Sequence, residues 1–199
     1  MRLSLLGEQT YNKIMANICF TEYTFHGEVE AIEKLHDAFK SFGYCAYLYD
    51  IYEKLGGKED VADDRATLEW YGEVDKVDGT LMANVNSAGC TPTDIVSAIC
   101  DLLGIRANWY SEEPSEGMYE KHDEDNDYAT FVYIVEDREN GTNDSFGSLE
   151  SIIKCNFSEE LTEDEIKAID SIEELEEVVN DNRAFRDMEG ISIYEVEEV

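Results

Sequence analysis

The sequence predicts an α+β fold: an antiparallel split βαβ sheet with its helices on one face, extended by a C-terminal hairpin and acidic helices. Three observations predict it. A β-branched and aromatic run at residues 17–25 gives way to helical periodicity after Gly27. Two more strand-like runs, residues 66–74 and 80–86, flank the hairpin signal Asp78-Gly79. A helix start at Thr91-Pro92 then leads into a further strand-like run, residues 105–110.

Residues 1–14 carry little pattern and are set apart as an N-terminal extension, with Met15 as an alternative start. After the first strand, Val29, Ile32, Leu35, His36 and Phe39 fall on one face of a helix that stops at Gly43. Leu48, Ile51, Tyr52 and Leu55 repeat at i, i+3, i+4 and i+7, and Gly56-Gly57 closes this second, short helix. In the third helix Thr91 is expected to cap, Pro92 to take the first helical position and Asp94 to complement the positive end. Ile95, Val96, Ile99, Leu102 and Leu103 form its buried face, and Gly104 ends it. The order strand, helix, strand, strand, helix, strand makes residues 15–120 a ferredoxin-like domain.

Residues 121–199 are expected to be an acidic extension packed on the same sheet. Residues 128–136 and 149–155 read as a hairpin around the loop 137–147. Acidic helices follow at 158–169 and 171–180, the second opened by Ser171 with Glu174 three residues on, a capping box. Ile191, Ile193 and Val196 point to a closing strand.

A chain of 199 residues can bury a real core, and 43% hydrophobic content with 12 Tyr and 8 Phe is too apolar for a disordered acidic chain. The net charge of -32, from 47 acidic and 15 basic side chains, repels phosphate backbones and attracts basic surfaces. Three readings of that charge compete: a surface kept soluble by repulsion, adaptation to high salt, and imitation of nucleic acid. Salt adaptation fits least with a chain that keeps five cysteines and many Ile and Tyr. Cys19, Cys45, Cys90, Cys100 and Cys155 form no C-x-x-C and are expected to be buried thiols in a reducing compartment. With no run near 18 apolar residues and no signal-peptide core at residues 2–6, a cytoplasmic location is expected.

Met15-Ala16-Asn17-Ile18-Cys19, the segment 87–92 that enters the third helix, and Tyr110-Ser111-Glu112-Glu113-Pro114 followed by Gly117 resemble the YubB-type ferredoxin-like family of plasmids, phages and gut bacteria. The resemblance covers roughly residues 15–120. It implies a fold and a mobile-element setting, and it supplies no catalytic residue. Ile18 and Ala88-Gly89 stand where that family usually carries tryptophans.

Asp123-Glu124-Asp125-Asn126-Asp127 begins like a calcium loop, but Tyr128 stands where the loop needs Gly and Ile134 where it needs a bidentate Glu. An acidic surface loop without a metal is expected. His26, His36 and His122 lack metal-ligand spacing, and His36 reads as a hydrogen-bonded core residue. There is no phosphate-binding glycine motif and no G-x-S-x-G, so neither a cofactor nor an enzyme activity is expected.

Residues 159–181 hold 11 acidic side chains with Lys167 as the single opposing charge. A continuous helix there would space its carboxylates about 3 Å apart along the axis, near the roughly 3.4 Å between phosphates of one DNA strand. A break near Asp170-Ser171 would split that line. This density makes Glu159, Glu160, Glu163, Asp164, Glu173, Glu174, Glu176 and Glu177 the first candidate partner-binding residues. The expected function is a non-enzymatic DNA mimic that inhibits a nucleic-acid-binding defence enzyme, such as a restriction or CRISPR nuclease. The alternative is an accessory domain that binds a peptide, a small ligand or its own copy through the open sheet face, using Trp70, Tyr71, Trp109 and Tyr110, with the acidity serving only solubility.

Overall fold

The computed structural model describes residues 17–62, 65–137, 142–156, 161–175 and 191–199. The expectations placed on residues 1–14 and on Glu159, Glu160, Glu176 and Glu177 lie outside the described residues. Ten strands and five helices follow one another as β1 (Ile18–His26), α1 (Val29–Phe42), β2 (Ala46–Tyr47), α2 (Leu48–Leu55), β3 (Thr67–Tyr71), β4 (Thr80–Ala88), α3 (Thr93–Leu103), β5 (Arg106–Glu113), β6 (Met118–His122), β7 (Tyr133–Asp137), β8 (Thr142–Phe146), α4 (Leu149–Asn156), α5 (Glu163–Ala168), β9 (Ile191–Glu195) and β10 (Glu197–Glu198) among the described residues. No helix among them is long and apolar enough to cross a membrane.

A mixed seven-stranded sheet runs β10-β6-β5-β1-β4-β3-β2, and every pair in it is antiparallel except β10 with β6. The period-2 alternation of β1 sends Tyr23 and Phe25 to one face, where Leu81, Ala83 and Val85 of β4 and Trp109 of β5 join them. The apolar stripes of α1, α2 and α3 close over that face with Ile32, Leu35, Phe39, Leu48, Ile51, Ile95 and Ile99. His36 is buried with its ring edge-on to Tyr71, 5.7 Å between centroids. Its Nε2 makes no hydrogen bond and lies 3.8 Å from Glu73 Oε2, so ring packing stands in place of the expected core hydrogen bond.

Two local expectations at the helix-side layer are corrected. Thr91 does not cap α3, because its hydroxyl donates to Ser111 Oγ at 2.8 Å and the helix begins after Pro92. Of the five cysteines only Cys19 and Cys100 are buried, while Cys45, Cys90 and Cys155 are exposed. Gly79 explains the tight β3–β4 connection. Its φ is +66°, a Cβ there would collide with the carbonyl of Gly27, and its own carbonyl accepts from Gly27 N at 3.0 Å. Gly79→Ala should therefore cost more than about 1 kcal/mol in urea denaturation, and a loss within error would refute this account.

The C-terminal third departs most from expectation. Residues 149–156 are helical, not a strand. Leu149, Ile152 and Ile153 repeat at helical spacing, and the Ser148 hydroxyl accepts from Ser151 N at 3.2 Å. The hairpin partner of β7 is instead β8, with Tyr133 opposite Phe146. The order β8-β7-β9 makes a separate three-stranded sheet, and the large sheet is extended by β6 and β10. Tyr133 and Val135 point to a core with Ile152, Ile153, Leu161, Ile169 and Leu175. Ile134 and Tyr194 point the other way and pack, with Tyr128, Phe131 and Val196, on Tyr110 and Tyr119 of the large sheet. Helices, large sheet, small sheet and helices thus form four layers.

Candidate functional site

The small sheet covers only part of the face it sits on. Tyr128 fixes one limit of the cover: its hydroxyl donates to the Glu22 carbonyl at 3.1 Å and lies 3.2 Å from Thr24 Oγ1. Beyond that limit the residues of β1, β4 and β3 that point away from the helices stay open. Ile18, Phe20, Met82 and Trp70 are 43–47% exposed there. A groove of about 400 Å3 lies on this face, lined by Phe20 and Tyr110 and on its polar side by Glu22, Glu69, Asn84, Asn86 and Glu112. None of its lining residues is basic. A hollow of about 280 Å3 shares Glu69 and Asn86 with it and continues toward Ile18 and Arg65.

Strand register builds the acidic centre of the groove. Phe20 lies opposite Glu112 and Glu22 opposite Tyr110, so the two carboxylates sit diagonally on adjacent strands and on the same face. Burial, reinforced by the Glu112 charge, holds Glu22 above the usual carboxylate range. Burial also raises Glu112, against the opposing hydrogen bonds from Tyr110 and Asn143. The Tyr110 hydroxyl donates to Glu112 Oε2 at 3.2 Å. Two partly buried carboxylates that resist ionisation make a site that a cation relieves.

The sign of the pH dependence follows. A carboxyl whose folded pKa is raised favours folding most below its unfolded value, and that contribution is lost as pH rises through the folded value. Glu22→Gln and Glu112→Gln should therefore raise the urea midpoint at about pH 7 and lose the advantage at about pH 4, below the ordinary carboxylate value. Lower midpoints for both variants at neutral pH would contradict the assignment.

The four aromatic residues expected to form one contact surface do not come together. Strands β3 and β5 are separated by β4 and β1. Consecutive residues of a strand also point to opposite faces. Trp70 is exposed on the open face, whereas Tyr71 packs on Phe39 on the helix side, 5.7 Å between centroids. Trp109 is 7% exposed on the helix side and Tyr110 is 6% exposed under the small sheet. Sequence reasoning missed Phe20, Glu22, Glu69, Asn84, Asn86 and Glu112, although the same alternation in ICFTEYTFH and TLMANVNSA places most of them on one face.

The acidic segment is interrupted. Helix α5 ends at Ala168, and a new helical turn begins at Ile172. Ser171 and Glu174 do cap it: Glu174 N donates to Ser171 Oγ at 3.2 Å, and Glu174 Oε2 accepts from Asp170 N at 2.7 Å. Asp164, Glu173 and Glu174 are exposed, Glu163 lies in α5, and no continuous helical line of charge joins them.

The loop after β6 is held by protein cations and amides. The Asp123 carboxylate accepts from Asp127 N at 2.8 Å and from Tyr128 N at 2.9 Å. Arg106 donates twice to Asp125, at 2.6 and 3.0 Å, which holds that carboxyl below its usual range. Asn108 Nδ2 reaches both Asp125 and Asp127, and His26 Nε2 lies 2.6 Å from Asp127 Oδ2. His26, Asp125 and Asp127 bring donor atoms within 4.8 Å of one another, but Arg106, Asn108 and His26 already satisfy these oxygens.

No protein-family model, no curated protein and no solved structure matches the chain, so the reading of the site rests on its own geometry.

Proposed function

We propose that this is a non-enzymatic acidic binding protein whose open sheet face docks a basic segment of a nucleic-acid-binding enzyme, such as a restriction or CRISPR nuclease, and so keeps that enzyme from its nucleic acid. One observation carries the reading: exposed Phe20 lines a groove with Glu22, Glu69 and Glu112 and without a lining cation, and exposed Ile18, Met82 and Trp70 lie on the same open face. Grouped exposed apolar side chains are what a docking surface offers, and flanking carboxylates choose a partner rich in Lys and Arg. The net charge of -32 steers such a partner from a distance. Steering and docking therefore fall to different parts of the molecule: the acidic surface supplies the field and the sheet face the contact. The strand order β5-β1-β4-β3, with a helix after β1 and another after β4, supports treating this core as ferredoxin-like.

The test is competition. The purified protein is titrated against DNA bound to a panel of restriction and CRISPR nucleases at two salt concentrations. Displacement of DNA from one enzyme, weakening at high salt, is the expected result. Absence of displacement across the panel would overturn the choice of partner.

A further inference from the structure

The groove on the open sheet face has an unbalanced electrostatic centre. Glu22 and Glu112 are partly buried on adjacent strands, at diagonal cross-strand positions of the kind that lie about 7–8 Å apart, within reach of long side chains. Glu112 accepts hydrogen bonds from the Tyr110 hydroxyl and from Asn143. Glu22 lacks such support: no described residue donates to its carboxylate or forms an ion pair with it, and the charge it feels is that of Glu112. The cation across the sheet from Tyr110 is Lys121, which Glu198 already holds at 3.5 Å. A partly buried carboxylate without a partner in its own chain is relieved by a cation brought from outside.

The surroundings choose among cations. Phe20 lies directly opposite Glu112 and is 47% exposed, so an aromatic face stands open beside the carboxylate pair. On the other side, Asn84 and Asn86 of β4 carry amide acceptors and exposed Glu69 of β3 a third carboxylate. A guanidinium suits this set better than an ammonium. It is planar, carries five donors, stacks on aromatic faces, and is the more weakly hydrated ion to bring into a partly buried site. Phe20 and Glu22 share a face at a spacing of two residues, and an extended segment laid on them presents its own side chains at the same interval.

We infer that the groove recognises an arginine side chain of the partner: its guanidinium bridges Glu22 and Glu112 with its face against Phe20, and an apolar residue two positions away in the same extended segment rests on the open sheet face. This rests on the docking reading of that face and narrows the occupant from a basic segment to an arginine with an apolar neighbour at the second position. Lysine in the same place forms fewer bonds and must shed a tighter hydration shell.

The probe is the peptide acetyl-Leu-Gly-Arg-Gly-Leu-amide, titrated into the full chain by calorimetry at low salt beside its lysine and citrulline counterparts. The arginine peptide should bind with a Kd below about 1 mM. The lysine peptide should bind at least about fivefold more weakly, and the neutral citrulline peptide should give no saturable binding in the same range. Glu22→Gln/Glu112→Gln, whose single changes are expected to fold at least as stably at neutral pH, should weaken the arginine peptide at least about tenfold. Asp50→Asn/Glu53→Gln removes the same charge from exposed positions of α2, on the other side of the sheet, and should bind the peptide as the parent chain does. No saturable binding of the arginine peptide would overturn the proposal. So would equal binding of the lysine peptide, or equal losses in the two double variants. The expected peptide profile in a protein that displaces no nuclease would leave arginine recognition standing and remove the partner, whereas a displaced nuclease with arginine and lysine peptides bound alike would do the reverse.

Discussion

The Phe39→Ala variant is expected to lose about 3–5 kcal/mol of unfolding free energy, the usual cost of emptying a buried aromatic site. Phe39 is 1% exposed and sits where α1 meets the sheet. Its ring meets Phe25 of β1 edge-on at 6.3 Å and Tyr71 of β3 at 5.7 Å, so one side chain ties the helix to two strands that are not neighbours. Truncation leaves a hole bounded by a rigid sheet on one side and by Ile32 and Leu35 of its own helix on the other, which limits collapse. Urea denaturation followed by far-ultraviolet circular dichroism and by tryptophan emission should show coincident, shifted transitions with an unchanged slope. A loss under about 1 kcal/mol would mean that α1 is not anchored as described.

Where the sequence carried a period and its punctuation together, the structure follows it closely. Helix α2 runs from Leu48 to Leu55 as the spacing of Leu48, Ile51, Tyr52 and Leu55 requires, with Gly56 left-handed at its end. Helix α1 stops at Gly43, and β4 begins directly after Gly79. Errors arose where one signal was used without the other. Residues 149–155 contain β-branched residues, but Leu149, Ile152 and Ile153 are spaced as a helix and Ser148 supplies the cap. Strand β6 follows the turn made by Pro114 and Gly117, with Gly117 N donating to the Pro114 carbonyl, although its own residues, MYEKH, alternate only weakly.

The functional face failed for a different reason. Strand order decides which side chains become neighbours, and no local pattern states it: Trp70 and Trp109 are expected on adjacent strands, but β4 and β1 lie between β3 and β5. What a single strand does state is which residues share its face, and that was available for Phe20 with Glu22 and for Asn84 with Asn86. Charge density drew attention to residues 159–181, yet the break between Ala168 and Ile172 removes the continuous helix on which the spacing argument depended.

That distinction sets the second large effect. A double variant Glu69→Lys/Asn84→Lys should weaken binding to the displaced nuclease by about 100-fold or more, since like charge across a contact costs several kcal/mol. Both positions are exposed and line the groove, so the added lysines can remain hydrated in the free protein and folding should be little changed. Asp164→Lys/Glu173→Lys alters two exposed positions in the acidic segment and shifts net charge by four, against three for the groove pair. If the segment supplies only the long-range field, this second variant should mainly slow association and weaken affinity by less than about tenfold, an effect that fades at high salt. Dissociation should accelerate chiefly in the groove variant, because contacts made in the complex govern that rate. The reverse pattern, with the acidic segment controlling dissociation and the groove variant binding normally, would return the contact to the acidic helices. Equal losses scaled only by net charge would reduce both surfaces to a common field.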